Sequence, residues 1–204
     1  MTGYPRISDF IFPKKRIKKR VKNILFLSFN TKQGFPETKK YEKFNFNLTY
    51  EKVIKVLNKI SKNKNLNICI KRKNRNPHLY KPKLAINKKI KIIHVGTSEK
   101  YINKADIIIG HNSSSTLESL VSGKYVIIPF FEKNRKLRKF MYKFHESIIY
   151  NSEKKMENKI LNLLNKKISF PITDRYNQKT IEYYFGNFKT INIIKKNCIR
   201  FLNS

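Results

Sequence analysis

The sequence predicts an α/β fold, a single Rossmann-like, doubly wound parallel sheet flanked by helices. Short runs of β-branched and other apolar residues alternate with amphipathic helical stretches almost throughout the 204 residues, the pattern of a parallel sheet built from βα units. Several of these runs, Asp106–Gly110 above all, are apolar at successive positions and not at every second one, which marks strands covered on both faces. The length suits one domain with a real core.

Residues 1–22 are basic and carry Pro5 and Pro13, so they read as a linker segment; the run Lys14–Arg20 could meet phosphate or lipid headgroups. Asn23–Phe29 is the first buried strand, and a polar, aromatic-dotted loop follows to about Asn47. Thr49 can cap a helix whose apolar face is Val53, Ile54, Leu57 and Ile60. Leu66–Lys71 is the second strand, followed by the basic loop Arg72–His78; Lys91–Val95 is the third, and Glu99–Asn103 a short helix. Asp106–Gly110 then ends in His111-Asn-Ser-Ser-Ser115, residues that favour turns and helix caps. Leu117, Leu120 and Val121 make one apolar stripe, Gly123 is placed to end that helix, and Tyr125–Ile128 forms a strand stopped by Pro129. Ser147–Tyr150 is a short strand, and Ser152 with Glu153 starts a helix to about Lys167. The domain is expected to span 23–188, with a C-terminal helix inside 189–204 packing back on it or towards a further domain.

The net charge of +33 suggests nucleic acid as a partner, but residue usage argues otherwise. Lys outnumbers Arg 37 to 9, and 28 Ile and 23 Asn stand against 2 Ala, which is the bias of A/T-rich codons. The lysines are also spread along the chain, so nucleic acid is not the expected partner. Anionic ligands and peripheral contact with an anionic membrane face are. No segment has the ~20 apolar residues of a membrane span, and the start lacks a signal-peptide pattern. Cys69 and Cys198 are far apart and fit reduced thiols, which implies a cytoplasmic location.

The segment Ala105–Val126 resembles the donor-binding motif of GT-B-type glycosyltransferases, a strand ending in Gly, a Ser-Ser turn and a helix bearing Glu. Thr2–Asp9 is similar to the "TG-x-PR-x-D" segment of surface-carbohydrate biosynthesis proteins. Asn67–Pro77 resembles the strand end of capsule and surface-polysaccharide transferases, and Glu182–Ile191 resembles their tail. The sequence departs from the pattern at Tyr125, where relatives have Pro, at Asn76-Pro77 and at Asn187-Phe188. The resemblance covers nearly the whole chain but only one half of such an enzyme. It implies a nucleotide-sugar donor as the ligand, an acceptor domain encoded separately, and no cofactor.

Transfer from a nucleotide sugar builds negative charge on the leaving diphosphate, which helix N–H dipoles and hydroxyls can stabilise. Gly110, His111, Asn112, Ser113, Ser114, Ser115 and Thr116 are the expected donor- and phosphate-binding set, with Lys71 the side chain placed to reach the diphosphate and Arg72 turned to solvent. The resemblance gives Glu118 the ribose hydroxyls; an ordinary interaction with its helix, worth ~0.3–1 kcal/mol, is the competing role. No nucleophile–base pair is visible, and His78, His94, His111 and His145 lack metal-ligand spacing. Catalytic residues are therefore not assigned. Two other readings stay open: a polyol- or glycerophosphate transferase using a CDP-linked donor, and a non-catalytic basic anion-binding module or relic of a truncated gene.

Overall fold

Six parallel strands form the main sheet of the computed structural model, which describes residues 17–29, 46–72, 84–172 and 175–185. In chain order the strands are β1 (Ile17–Arg20), β2 (Asn23–Leu27), β3 (Asn67–Lys71), β4 (Lys91–Ile93), β5 (Ile107–Ile109), β6 (Tyr125–Pro129), β7 (Ile149–Tyr150) and β8 (Lys167–Phe170). The helices are α1 (Phe46–Ile60), α2 (Ser98–Lys104), α3 (Ser114–Val121), α4 (Glu153–Leu164) and α5 (Arg175–Phe185). Strand order in the sheet is β4-β3-β2-β5-β6-β7, so the winding direction reverses between β2 and β5. This is the doubly wound, Rossmann-like order.

Strand alternation divides the core into two layers. Leu25, Leu27, Ile108, Val126 and Ile128 face one side, where they meet Ile102 of α2, Leu117, Leu120 and Val121 of α3 and Ile181 of α5. Ile24, Phe26, Ile107, Ile109 and Ile127 face the other, against Val53, Ile54 and Leu57 of α1 and Met156 and Ile160 of α4. The β-branched runs thus have to be apolar at every position, because each residue meets a helix on one face or the other. Ion pairs from Lys52 and Lys55 to Glu153, and from Lys59 to Glu157, join α1 to α4 along their rims. Such half-exposed pairs are worth about 0.2–1 kcal/mol each.

Asp106 explains how the chain enters the sheet. It is buried at the amino end of β5, where one carboxylate oxygen accepts the main-chain N–H groups of Lys22 (2.9 Å) and Asn23 (3.0 Å). Its other oxygen is ion-paired with Lys19. The acid that opens the motif segment therefore holds the β1–β2 corner, at the end of the sheet opposite the Ser-rich turn.

Several elements differ from expectation. Residues 17–20, read as linker, form β1, which pairs antiparallel with β8 as a separate two-stranded ribbon. The helix read to Lys167 ends at Leu164, and the chain returns as β8. Thr49 lies inside α1 and is buried there, since the helix begins at Phe46. Of Ser147–Tyr150 only the last two residues are strand, the first two belonging to a short 3₁₀ turn. Arg175–Phe185, to which the sequence assigns no element and which overlap the start of the Glu182–Ile191 tail, form α5. The expected C-terminal helix of 189–204 and the Thr2–Asp9 segment lie outside the described residues.

Gly123 ends α3 as expected, and does more. Its φ of +64° is the left-handed conformation that favours glycine. Gly123 N–H donates to Leu120 O (2.9 Å) and Lys124 N–H to Ser119 O (3.1 Å), the paired bonds of a Schellman ending. A Cβ at Gly123 would stand 2.1 Å from Cβ of Pro171, and Ile172 N–H donates to Gly123 O at 2.8 Å. Gly123→Ala should therefore lower unfolding free energy by about 2–4 kcal/mol, combining left-handed strain with a backbone-level clash. Urea denaturation reads this directly; a loss below about 0.5 kcal/mol would show that the Pro171 segment yields freely.

Candidate functional site

In open α/β sheets, ligands bind outside the carboxyl ends of the strands, at the point where the winding reverses. Here that point lies beyond Leu27 of β2 and Ile109 of β5. It is filled by aromatic rings. His111, two residues beyond β5, lies 5.0 Å from the Phe29 ring and 5.3 Å from the Phe46 ring, and those two rings are 5.6 Å apart. Tyr50 closes the cluster from α1, 5.9 Å from Phe29.

His111 is consequently not at the mouth of a crevice. It is 4% exposed, and burial, reinforced by the charge of Arg138, pushes it from an ordinary 6.5 to about 4. At neutral pH it is an uncharged member of an apolar cluster and brings no positive charge to a phosphate. Phe29 and Phe46 flank the polar loop in sequence; only their meeting across the sheet end shows that they form this plug.

The turn behind His111 is held tightly. A Cβ on Gly110 would stand 2.4 Å from Thr116 Oγ1, so the absence of a side chain lets α3 pack onto the end of β5. Thr116 is fully buried at this contact. Ser113 is the N-cap of α3, its Oγ accepting from Thr116 N–H at 3.4 Å and lying 3.0 Å from Thr116 Oγ1. Asn112 is fully engaged elsewhere: its Nδ2 donates to Phe140 O at 3.2 Å, and Tyr142 N–H donates to its Oδ1 at 2.6 Å. The 140–145 segment is tied in turn to α5, through Lys143 N–H donating to the Tyr184 hydroxyl and the Thr180 hydroxyl donating to Lys143 O. Ser115 Oγ lies 3.2 Å from Ser98 Oγ at the start of α2.

Ser114 is left. It is half-buried, carries no side-chain hydrogen bond among the described residues, and is the first residue of α3. Its N–H and that of Ser115 have no acceptor within the helix, as in the first turn of any helix. The sequence-predicted set therefore separates into parts: Gly110, Asn112, Ser113 and Thr116 build the turn, while Ser114 and the opening N–H groups of α3 present it.

Glu118 and Lys71 are both buried. Glu118 sits one turn into α3 and is 3% exposed, with its main-chain carbonyl accepting from the Ser122 hydroxyl at 2.9 Å. Lys71 ends β3, on the far side of β2 from β5, two strand spacings or about 10 Å away. Its ammonium donates to Arg72 O at 2.9 Å and to His94 O at 3.5 Å, and burial holds its pKa below the usual lysine value. It is directed to strand-end carbonyls and not across to α3. Arg72, expected in solvent, is half-buried; burial raises the pKa of Tyr50 overall, against the lowering effect of the Arg72 charge.

No family model matches the sequence, and no curated protein matches it. Among solved structures, the chain is similar to a protein assigned as a UDP-N-acetylglucosamine 2-epimerase from Listeria monocytogenes (11% identity, TM-score 0.47, 100% of this chain and 50% of that one). It is similar also to the glycotransferase of kitacinnamycin (11%, 0.46, 89% and 44%) and to the UDP-GlcNAc 2-epimerase from Methanocaldococcus jannaschii (15%, 0.44, 88% and 48%). The chain spans about half the length of these structures. Among the described residues, no helix is long and apolar enough to cross a membrane.

His111 gives the site a measurable pH signature. Between pH 6.5 and about 4 the unfolded chain takes up a proton that the folded chain refuses. Its contribution to stability is thus complete above pH 6.5 and is lost as pH falls towards 4, by on the order of 3 kcal/mol. His111→Gln should flatten the stability–pH curve across that window by this amount, measured by urea denaturation at pH 7.5 and 4.5. Equal slopes in the two proteins would remove His111 from the acid response.

Proposed function

We propose that the chain is the nucleotide-sugar-binding half of a glycosyltransferase of bacterial surface polysaccharide biosynthesis, completed by an acceptor domain supplied elsewhere. The observation that carries the reading is the opening turn of α3. It stands at the carboxyl end of β5, is rigidly built by Gly110, Ser113 and Thr116, and presents the Ser114 hydroxyl with unclaimed N–H groups. A diphosphate placed there gains hydrogen bonds and the positive end of the helix dipole. Charge developing on the departing diphosphate would be stabilised in the same way, with no cofactor required.

His111 and Lys71 add no charge at this turn, so the dipole and hydroxyls carry the anion in this reading. Glu118 accepts the ribose hydroxyls, which a carboxylate does well with two oxygens. Residues that perform the transfer belong to the acceptor half, and the work takes place at the cytoplasmic face of the membrane.

Calorimetry against UDP-, GDP- and CMP-linked sugars and CDP-glycerol tests the reading. One nucleotide sugar should bind; preference for CDP-glycerol would instead favour a polyol-phosphate donor, and no binding to any by the folded protein would overturn both. Ser114→Glu puts a carboxylate where the phosphate would sit, yet suits a helix N-terminus, so it should weaken donor binding at least about tenfold while leaving stability unchanged or raised. Glu118→Gln separates its two roles: lost affinity at constant stability marks a ribose contact, and lost stability marks a structural one.

A further inference from the structure

A cleft of about 770 Å³ opens beside the edge strand β7, within the range of small-molecule sites. One wall is α4, whose three faces are used differently. Met156, Ile160 and Leu163 enter the core, and Glu153 and Glu157 pair with α1. The third face lines the cleft with Lys155, Asn158, Lys159 and Asn162, an i, i+3, i+4, i+7 stripe. It alternates cation and amide over about 10 Å of helix.

Arg135 and Arg138, from the short 3₁₀ turn Arg135–Phe140, line the cleft as well. Arg138 is fixed there, donating to Tyr142 O (2.9 Å) and Phe144 O (2.5 Å) and pairing with Glu146 at 3.5 Å. Arg135 and Lys155 are exposed and make no ion pair among the described residues. Two carboxylates, Glu132 and Glu146, share the lining with four cations. Tyr150 of β7 adds an aromatic ring.

We propose that this cleft binds an anionic carbohydrate segment several units long, its charges met by Arg135, Lys155 and Lys159 and its hydroxyls by the asparagine amides. Amides supply donor and acceptor together, which suits a hydroxyl better than a phosphate. A stripe of this length exceeds what one anion needs, and with Phe130 buried and Tyr150 half-buried the lining is a poor stacking platform for nucleic acid. The charge on the carbohydrate can be carboxylate or phosphodiester. The proposal stands independently of the donor site on α3.

Because the whole chain is strongly basic, the test must separate the cleft from net charge. Tetragalacturonate, a glycerol-phosphate tetramer, neutral maltotetraose and oligothymidylate are titrated into the full chain, into R135E/K155E, and into K18E/R20E on the exposed β1 ribbon. The two double variants change net charge equally. One anionic tetramer should bind, and which of them does so identifies carboxylate or phosphodiester; maltotetraose should bind far more weakly. R135E/K155E should weaken the tetramer at least about tenfold and K18E/R20E less than about twofold. Circular dichroism confirms that both variants fold, which their exposed positions favour. Ser114→Glu should leave tetramer affinity unchanged, so failure of the donor reading is seen separately. Equal loss in the two double variants, no binding of either anionic tetramer, or oligothymidylate bound as tightly and lost equally with R135E/K155E would each overturn the proposal.

Discussion

The placement of α3 depends on two close approaches that only glycine permits. At one end Thr116 fills the space that a side chain on Gly110 would need; at the other, Pro171 does the same at Gly123. A helix of eight residues has little stability by itself, so these contacts and its apolar stripe fix where it lies. Ser119 and Ser122, buried on α3, give their hydroxyls to the helix's own carbonyls at Ser115 and Glu118 and so need nothing from neighbours. The turn that presents Ser114 is therefore held by steric fit from both sides, with the strand behind it buried on both faces.

The same tightness changes what the sheet end can offer. An open crevice between β2 and β5 would be the ordinary ligand position, yet Phe29, Phe46, Tyr50 and His111 treat it as core. Desolvation that makes His111 a useful packing group also removes its charge. In the proposed donor reading, an anion at this end of the molecule is met by main-chain dipoles, which do not vary with pH, and not by a titrating side chain.

The centre of the sheet was legible because Ile24–Leu27 and Ile107–Ile109 are buried on both faces and carry no polar residue to blur the signal. The α3 caps were legible too, since Ser113 and Gly123 act through their own local chemistry. Contacts between distant segments were not. Asp106 looked like part of a ligand motif but serves the β1–β2 corner, a role visible only when residues 84 positions apart meet. β1 is Ile-Lys-Lys-Arg with every residue exposed, so it has no hydrophobic period to read. α5 buries Asn177, Thr180 and Ile181, a face too polar to stand out as amphipathic. Lys71 lies at the strand end that the sequence indicates, but the carbonyl of His94 that its ammonium meets comes from a segment 23 residues away, which sequence spacing does not place.

The ribbon of β1 and β8 pairs Ile17 with Phe170, so the first described strand and the last lie side by side. Phe170 is buried in the core, Lys19 lies over its ring at 5.2 Å, and the following residues dock on Gly123. The ribbon is therefore part of the body: α5, which follows it, packs Ile181 into the same layer as α3, and Asp106 holds the β1–β2 corner from within the sheet. Because the same four residue pairs join β1 to β8, fraying of either strand exposes the other, so the two ends of this stretch of chain come loose together or not at all.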